Sequence, residues 1–376
     1  MKEMKMMTNR EGSFGTYEAV CLTSIMIITK IFYTSIAVII KLEGTSGWIG
    51  TIISCITSLF LFSLICVLMK RFPNMDLTQI FEAVIGRFVG KLLTLLFSAY
   101  LLYYAASSLR EFIEMIKAYN LPYTPPSFLI FGFIAVCAIV TYYGLEGIAR
   151  ISGIFFIPII AALIIILLLS IPNYDLDYLK PYLGFGVKKT VTTGVLRCSA
   201  YDEVVILAFI INSVHGYKIF KKAGYTSLII AGLTFSSNIM CNVITFMYTG
   251  GSENLSGLFE LSRAIYFNRF IQRFESIFLF AWVVSSLVTV SIAFYLSINL
   301  YTKAFRIPGH RPLIFPFSFL LFMIALVPKN MSEVVQINIH FIRQFSGVII
   351  YAVPILILLI AAIFGKRGDV PNGKKG

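Results

Sequence analysis

Lys30 stands in the middle of an apolar run, within Thr29-Lys30-Ile31-Phe32-Tyr33-Thr34-Ser35. At the centre of a membrane span an ammonium costs about 2.5–3.5 kcal/mol, so it needs a partner or a wet cavity. The other reading is a span that starts later and leaves Lys30 near the interface. A second charged cluster, Leu196-Arg197-Cys198-Ser199-Ala200-Tyr201-Asp202-Glu203, interrupts another apolar run. Arg197 offers a planar fork for a carboxylate, while Asp202 and Glu203 suit an ammonium. Such residues cannot face lipid, and irregular backbone at that depth must line a cavity or be buried in protein. The cluster is either a solute site or an internal ion pair.

The elements that must position these residues are set by composition. Of 376 residues 58% are hydrophobic and only 13% charged, where soluble domains carry about 25% charge. No soluble fold of this length hides that much apolar surface, which excludes a cytosolic enzyme, a secreted disulfide scaffold and a disordered chain. A span needs about 20 apolar residues. Ten segments qualify, at 19–40, 48–69, 91–113, 127–143, 148–170, 190–214, 224–248, 274–299, 312–328 and 348–364. The first is too long for a signal-peptide core and lacks a cleavage site, so it is a retained helix.

A net charge of +13 would suit nucleic acid, but the basic residues sit in short clusters between apolar runs. That placement fits anchoring at a bilayer surface instead. With the N-terminus inside, cytoplasmic segments carry 18 Lys and Arg against 11 outside, which places both termini in the cytoplasm. Only Lys30 and Arg197 remain unassigned to loops. Six cysteines without CxxC spacing and three dispersed histidines point to neither metal nor disulfide. No nucleophile–base pair or phosphate loop appears, so an enzyme is not expected.

Lys30 and the Arg197 cluster fall in the first and sixth spans, each the first of five. Interrupted hydrophobic segments at corresponding positions of two halves point to a transporter binding site, and an odd repeat inverts the topology. The expected organisation is a cytoplasmic segment 1–18, one permease-like membrane domain over 19–364 with halves of about 19–170 and 190–364, and a basic tail 365–376. In the third span Tyr100, Tyr104, Ser107, Ser108 and Glu111 share a helical face, and in the eighth Trp282, Ser285, Ser286 and Thr289 do. These stripes are either close helix packing or cavity lining. Segment 72–90 reads as an amphipathic stretch along the inner surface.

Several loops resemble one family. Leu121-Pro122-Tyr123-Thr124-Pro125 is similar to the Leu-Pro-x-Thr-Pro turn of the endospore germination permeases. Gly144-Leu145-Glu146-Gly147-Ile148-Ala149-Arg150 with Pro158 resembles that family's approach to helix five, and Lys180-Pro181 and Gln272-Arg273-Phe274-Glu275 with Trp282 are similar too. Locally, Glu146 and Arg150 at i,i+4 support a helix, and Pro122 and Pro125 separate two helices. Both are architecture.

The resemblance implies the B subunit of a spore germinant receptor, within the amino acid–polyamine–organocation superfamily. It implies an all-α LeuT-like fold with 5 + 5 inverted repeats and broken helices one and six. It further implies a small germinant, often an amino acid, as ligand, A and C subunits as partners, and the cell membrane or spore inner membrane as location. The glycine-rich break usual in helix one is absent, and Thr29 to Ser35 stands in its place. Candidate ligand-binding residues are Lys30, Tyr33, Thr34, Tyr104, Ser107, Arg197, Ser199, Tyr201, Asp202, Glu203, Ser285 and Thr289, with no cofactor expected. The other readings are a proton- or cation-coupled amino acid transporter and a structural component that seats its partners.

Overall fold

The computed structural model describes residues 12–266, 274–335 and 343–368. Gln272, Arg273, His340 and most of both terminal segments lie outside them. Helix covers every apolar run. In chain order, α1 (Thr16–Ile28) and α2 (Ser35–Glu43) make the first span, followed by α3 (Gly47–Arg71) and the short α4 (Leu77–Ile85). Then come α5 (Arg87–Tyr119), α6 (Pro126–Tyr142) and α7 (Gly144–Leu169). The sixth span holds α8 (Val187–Leu196) and α9 (Ile206–Phe209). The second half continues with α10 (Tyr217–Glu253), which is interrupted at Met247, and the short α11 (Gly257–Ala264). It ends with α12 (Glu275–Phe305), α13 (Ile314–Leu326), the single turn α14 (Met331–Val334) and α15 (Arg343–Ile363).

Both charged interruptions are real breaks. A 3-10 turn at Thr29–Phe32 and an extended Tyr33 separate α1 from α2. A longer 3-10 segment, Arg197–Val205, separates α8 from α9. Such backbone survives inside a membrane only where its polar groups find partners. Ser256 Oγ donates to the Phe32 carbonyl at 2.9 Å, and Ser58 Oγ donates to that of Cys198 at 3.1 Å.

The two breaks are held by a rigid frame. In it α5 and α12 pack closely, and Ser98 and Ser297 each donate to the other's carbonyl, at 2.6 and 2.8 Å. Small residues let the two backbones approach, the means by which helices associate in lipid.

One expectation changes here. The third span runs Arg87–Tyr119, longer than 91–113. Arg110, counted with an outer loop, is buried inside it and pairs with Glu114 at 2.9 Å. Segment 72–90 holds α4, which is amphipathic as expected, with one face buried and Gln79 and Ala83 exposed on the other. Asp76 caps α4 through a reciprocal bond with Gln79 and is itself buried. Leu77, Ile80, Phe81 and Val84 are buried too, and α4 packs back onto α5. Gly86, at φ +89, ends α4 in a conformation that L side chains rarely adopt.

Candidate functional site

Lys30 points from the first break into the second. Its Nζ lies 2.6 Å from Glu203 Oε1 and 2.8 Å from Oε2. It also donates to the carbonyls of Ala200 at 3.0 Å and Ser199 at 3.3 Å. Asp202 Oδ1 stands 3.8 Å away, and Lys30 is only 4% exposed. Unwound carbonyls at such a break are the groups that coordinate a coupling cation in transporters of this architecture. In this chain the Ser199 and Ala200 carbonyls accept from the Lys30 ammonium.

The acids are held from further elements. Tyr104 on α5 donates to Glu203 Oε1 at 2.8 Å, and Ser346 on α15 donates to Asp202 Oδ2 at 3.1 Å. Tyr351, a turn further along α15, donates to the Tyr201 carbonyl at 3.0 Å. At the start of α2, Glu111 Oε1 accepts from Thr34 Oγ1 at 2.8 Å and from the Thr34 backbone N–H at 3.3 Å. A helix N-terminus is a natural seat for an anion. Here the protein's own carboxylate fills it.

Two cavities flank the second break. One is walled by Tyr104, Asp202 and Glu203 with Tyr100, Phe97 and Phe209. Phe81, Phe97 and Phe209 stack against one another at its end, with centroids 5.1–6.4 Å apart. The other, with room for about one water molecule, is bounded by Glu43, Arg197, Tyr201, Thr51 and Ser54.

The expected residues therefore separate into three groups. Lys30, Ser199, Asp202, Glu203 and Tyr104 converge on one network. Arg197 and Tyr201 face the second cavity instead, and Tyr201 donates to the Thr51 carbonyl at 3.3 Å. Tyr33 donates to Ser286 at 3.0 Å, and the hydroxyls of Thr29 and Thr289 meet at 2.8 Å. Those contacts, with Ser285 bonded to its own helix, pack α12 against the first break. Ser107 likewise bonds within α5, and none of Ser107, Ser285 and Thr289 lines either cavity. Glu146 and Arg150 form an exposed pair at 2.6 Å, far from both. No cluster of His, Cys, Asp and Glu able to hold a metal occurs among the described residues.

Residues 14–334 match the family described as spore germination protein. The chain belongs to that family. Among its relatives, spore germination protein KB of Bacillus subtilis (strain 168) is 22% identical over 347 residues, covering 89% of this chain and 91% of its own. Spore germination protein A2 of the same organism is 23% identical over 336 residues, covering 86% and 88%. Two solved structures share the fold. One is Mhp1, a nucleobase-cation-symport-1 family transporter in a closed conformation with bromovinylhydantoin bound (TM-score 0.65, 13% identity, 92% of this chain and 78% of that one). The other is a Na+-coupled sialic acid symporter in a substrate-bound outward-open state (TM-score 0.66, 12% identity, 96% and 92%). This member of the spore germination family is thus an integral membrane protein with the LeuT-like transporter fold.

Glu43, Glu111, Ser346 and Tyr351 complete the site and were not among the expected residues. Glu111 was visible in the third span's polar stripe. Glu43 lies just past the first apolar run, where length alone assigns a loop. Ser346 and Tyr351 carry no signal, because a lone hydroxyl near the last span has nothing in the sequence to pair it with Asp202.

Proposed function

We propose that this chain is the permease-like subunit of a spore germinant receptor, holding a small polar solute beside the breaks of the first and sixth spans. It works by binding and not by catalysis, with both termini cytoplasmic and with A and C subunits as its membrane partners. The observation that carries this reading is the Lys30 network. One ammonium ties the two breaks together, and Tyr104, Asp202 and Glu203 of that network wall the cavity beside them. A solute that hydrogen-bonds there competes for bonds that hold the breaks in register. It can shift the bundle only through its differential affinity for the two arrangements.

The alternative of a coupled transporter keeps the same cavity. In that reading Lys30 and Asp202 or Glu203, which already face one another across the breaks, exchange a proton during turnover. Spores carrying only a Tyr104→Phe or Asp202→Asn version of this subunit decide the location. A changed germinant preference or half-saturating concentration is expected. Normal assembly with an unchanged dose response would place the solute elsewhere, and solute-driven proton uptake into proteoliposomes would favour the transporter.

A further inference from the structure

Where α3 ends and α10 begins, the chain exposes Lys70 on one helix and Lys218, Lys221 and Lys222 on the other. No Asp or Glu occurs in residues 44–75 or 204–252, so neither helix carries an acid near these lysines. Lys221 leans over the ring of Tyr225, 6.0 Å from its centre. Arg71, next along α3, is turned elsewhere. Its guanidinium donates to the Ala361 and Lys366 carbonyls, at 2.9 and 2.6 Å.

The two helices form a seam that runs from these lysines into the membrane. Contacts pair Ser63 with Tyr225, Cys55 with Leu228 and Trp48 with Ser236, so α3 and α10 are antiparallel. Phe62 packs between them, its ring 5.3 Å from that of Phe220 and 5.4 Å from that of Tyr225. Beside it the hydroxyls of Ser63 and Tyr225 meet at 2.8 Å. Lys70 lies seven positions after Ser63, and Lys218 seven before Tyr225. Each is therefore two turns, about 10 Å, from that bond and at the same depth. Deeper along the seam the exposed residues are apolar, Phe60 and Val67 on α3 and Ile229 and Leu233 on α10. Their spacing of three, four and seven keeps them on the faces that carry Lys70 and Lys222.

A surface that is basic at its rim and apolar along its length fits an amphiphile with a negative head. We infer that the α3–α10 seam binds an anionic phospholipid from the leaflet at that end of the bundle. The phosphate sits among Lys70 and the α10 lysines, and an acyl chain lies against Val67, Phe60, Ile229 and Leu233. A free phosphate or an acidic protein segment would use the rim and leave the apolar seam empty. A zwitterionic phospholipid would bring an ammonium of its own, which the lysines repel.

Native mass spectrometry of the full chain in detergent resolves bound lipids one at a time. The probes are phosphatidylglycerol and phosphatidylcholine with the same acyl chains. The first phosphatidylglycerol is expected to bind about tenfold tighter than phosphatidylcholine or better, a margin that three lysines near a phosphate supply. Combining Lys70→Gln, Lys218→Gln and Lys222→Gln is expected to remove that margin. Should the triple variant not fold, Lys222→Gln alone is expected to weaken phosphatidylglycerol several-fold. Arg87→Gln with Lys91→Gln takes charge from the start of α5, where Lys91 stands over Phe305 of α12, and is expected to leave the margin intact. Equal binding of the two lipids overturns the site and leaves the lysines to an acidic protein segment. A folded seam variant that binds phosphatidylglycerol like the parent overturns it as well. So does an equal loss in the α5 variant, which would show overall charge at work, or displacement of the lipid by millimolar glycerol phosphate, which would show a site for free phosphate.

Discussion

Lys30 and Glu203 are separated by 173 positions in the chain and by 2.6 Å in space. This contact joins the midpoints of the first and sixth spans, each at the point where its helix is broken. Neither break would be tolerable alone. The ammonium would be unpaired in one, and the Glu203 carboxylate would keep only Tyr104 as its donor in the other. Each break satisfies what the other exposes, which explains why two costly interruptions persist in an apolar chain.

Lys30→Met keeps side-chain length and removes the charge, leaving the Glu203 carboxylate with Tyr104 alone and the Ser199 and Ala200 carbonyls without the ammonium. Breaking a buried pair from one side costs about 3–5 kcal/mol, so the variant should be scarce in membranes and unfold at lower temperature. Adding Glu203→Gln should recover much of the loss, since a neutral amide can still accept from Tyr104. Lys30→Arg should fold better than Met, yet fit three converging acceptors poorly. A Met variant as abundant and heat-stable as the parent would show that the network contributes nothing to stability.

How much of this was legible in the sequence depends on the kind of signal. Lys30, Asp202 and Glu203 announced themselves because charge in an apolar run is rare and must be compensated. Five-span spacing then paired the two breaks, which is a statement about topology and needs no side-chain detail. Arg197 was grouped with Asp202 and Glu203 by proximity along the chain. On a 3-10 segment residues five apart, as Arg197 and Asp202 are, point to different sides, and Arg197, at the junction with α8, borders the other cavity with Glu43. The hydroxyl stripes of α5 and α12 were legible as one face each. Periodicity gives the face but not the neighbour: the Ser285 hydroxyl bonds the Trp282 carbonyl of its own helix, and the Thr289 hydroxyl meets that of Thr29.

Asp76 fastens α4 to the rest of the bundle. Its carboxylate caps α4 and accepts from Lys303 of α12 at 3.0 Å, while Lys303 also reaches the Phe209 carbonyl at the end of α9. Asp76→Asn retains a good cap and loses only the ion pair, whereas Asp76→Ala loses both. A lost N-cap alone costs about 1 kcal/mol. Thermal unfolding in detergent should therefore rank parent, Asn and Ala in that order. Equal midpoints for Asn and Ala would mean that the cap contributes nothing.

Gly50 is expected to tolerate no side chain. Its Cβ would occupy the place of the Glu43 carboxylate, and overpacking of this kind costs about 1–3 kcal/mol. Gly50→Ala should accordingly lower the unfolding midpoint. In the same chain Glu43→Ala should restore it, because the clashing atoms are gone, while Glu43→Gln should not, because an amide is as large as the acid. Restoration by Gln as well would trace the defect to charge instead of space.

Thr289 separates packing from recognition. Its hydroxyl meets Thr29 at 2.8 Å, and Thr29 also donates to the Ile25 carbonyl at 2.6 Å. Both threonines are buried, and neither borders a cavity. Thr289→Val keeps the shape and leaves Thr29 its carbonyl partner, so it forfeits one hydrogen bond, worth about 1 kcal/mol. Thr29→Val removes the bonds to Ile25 and to Thr289 together and should cost more. In spores, the germinant concentration giving half-maximal response should be the same for Thr289→Val as for the parent, with only heat stability reduced. A shift in that concentration, with the protein folded and assembled, would return α12 to the solute-reading surface and show that the hydroxyl stripe does more than pack.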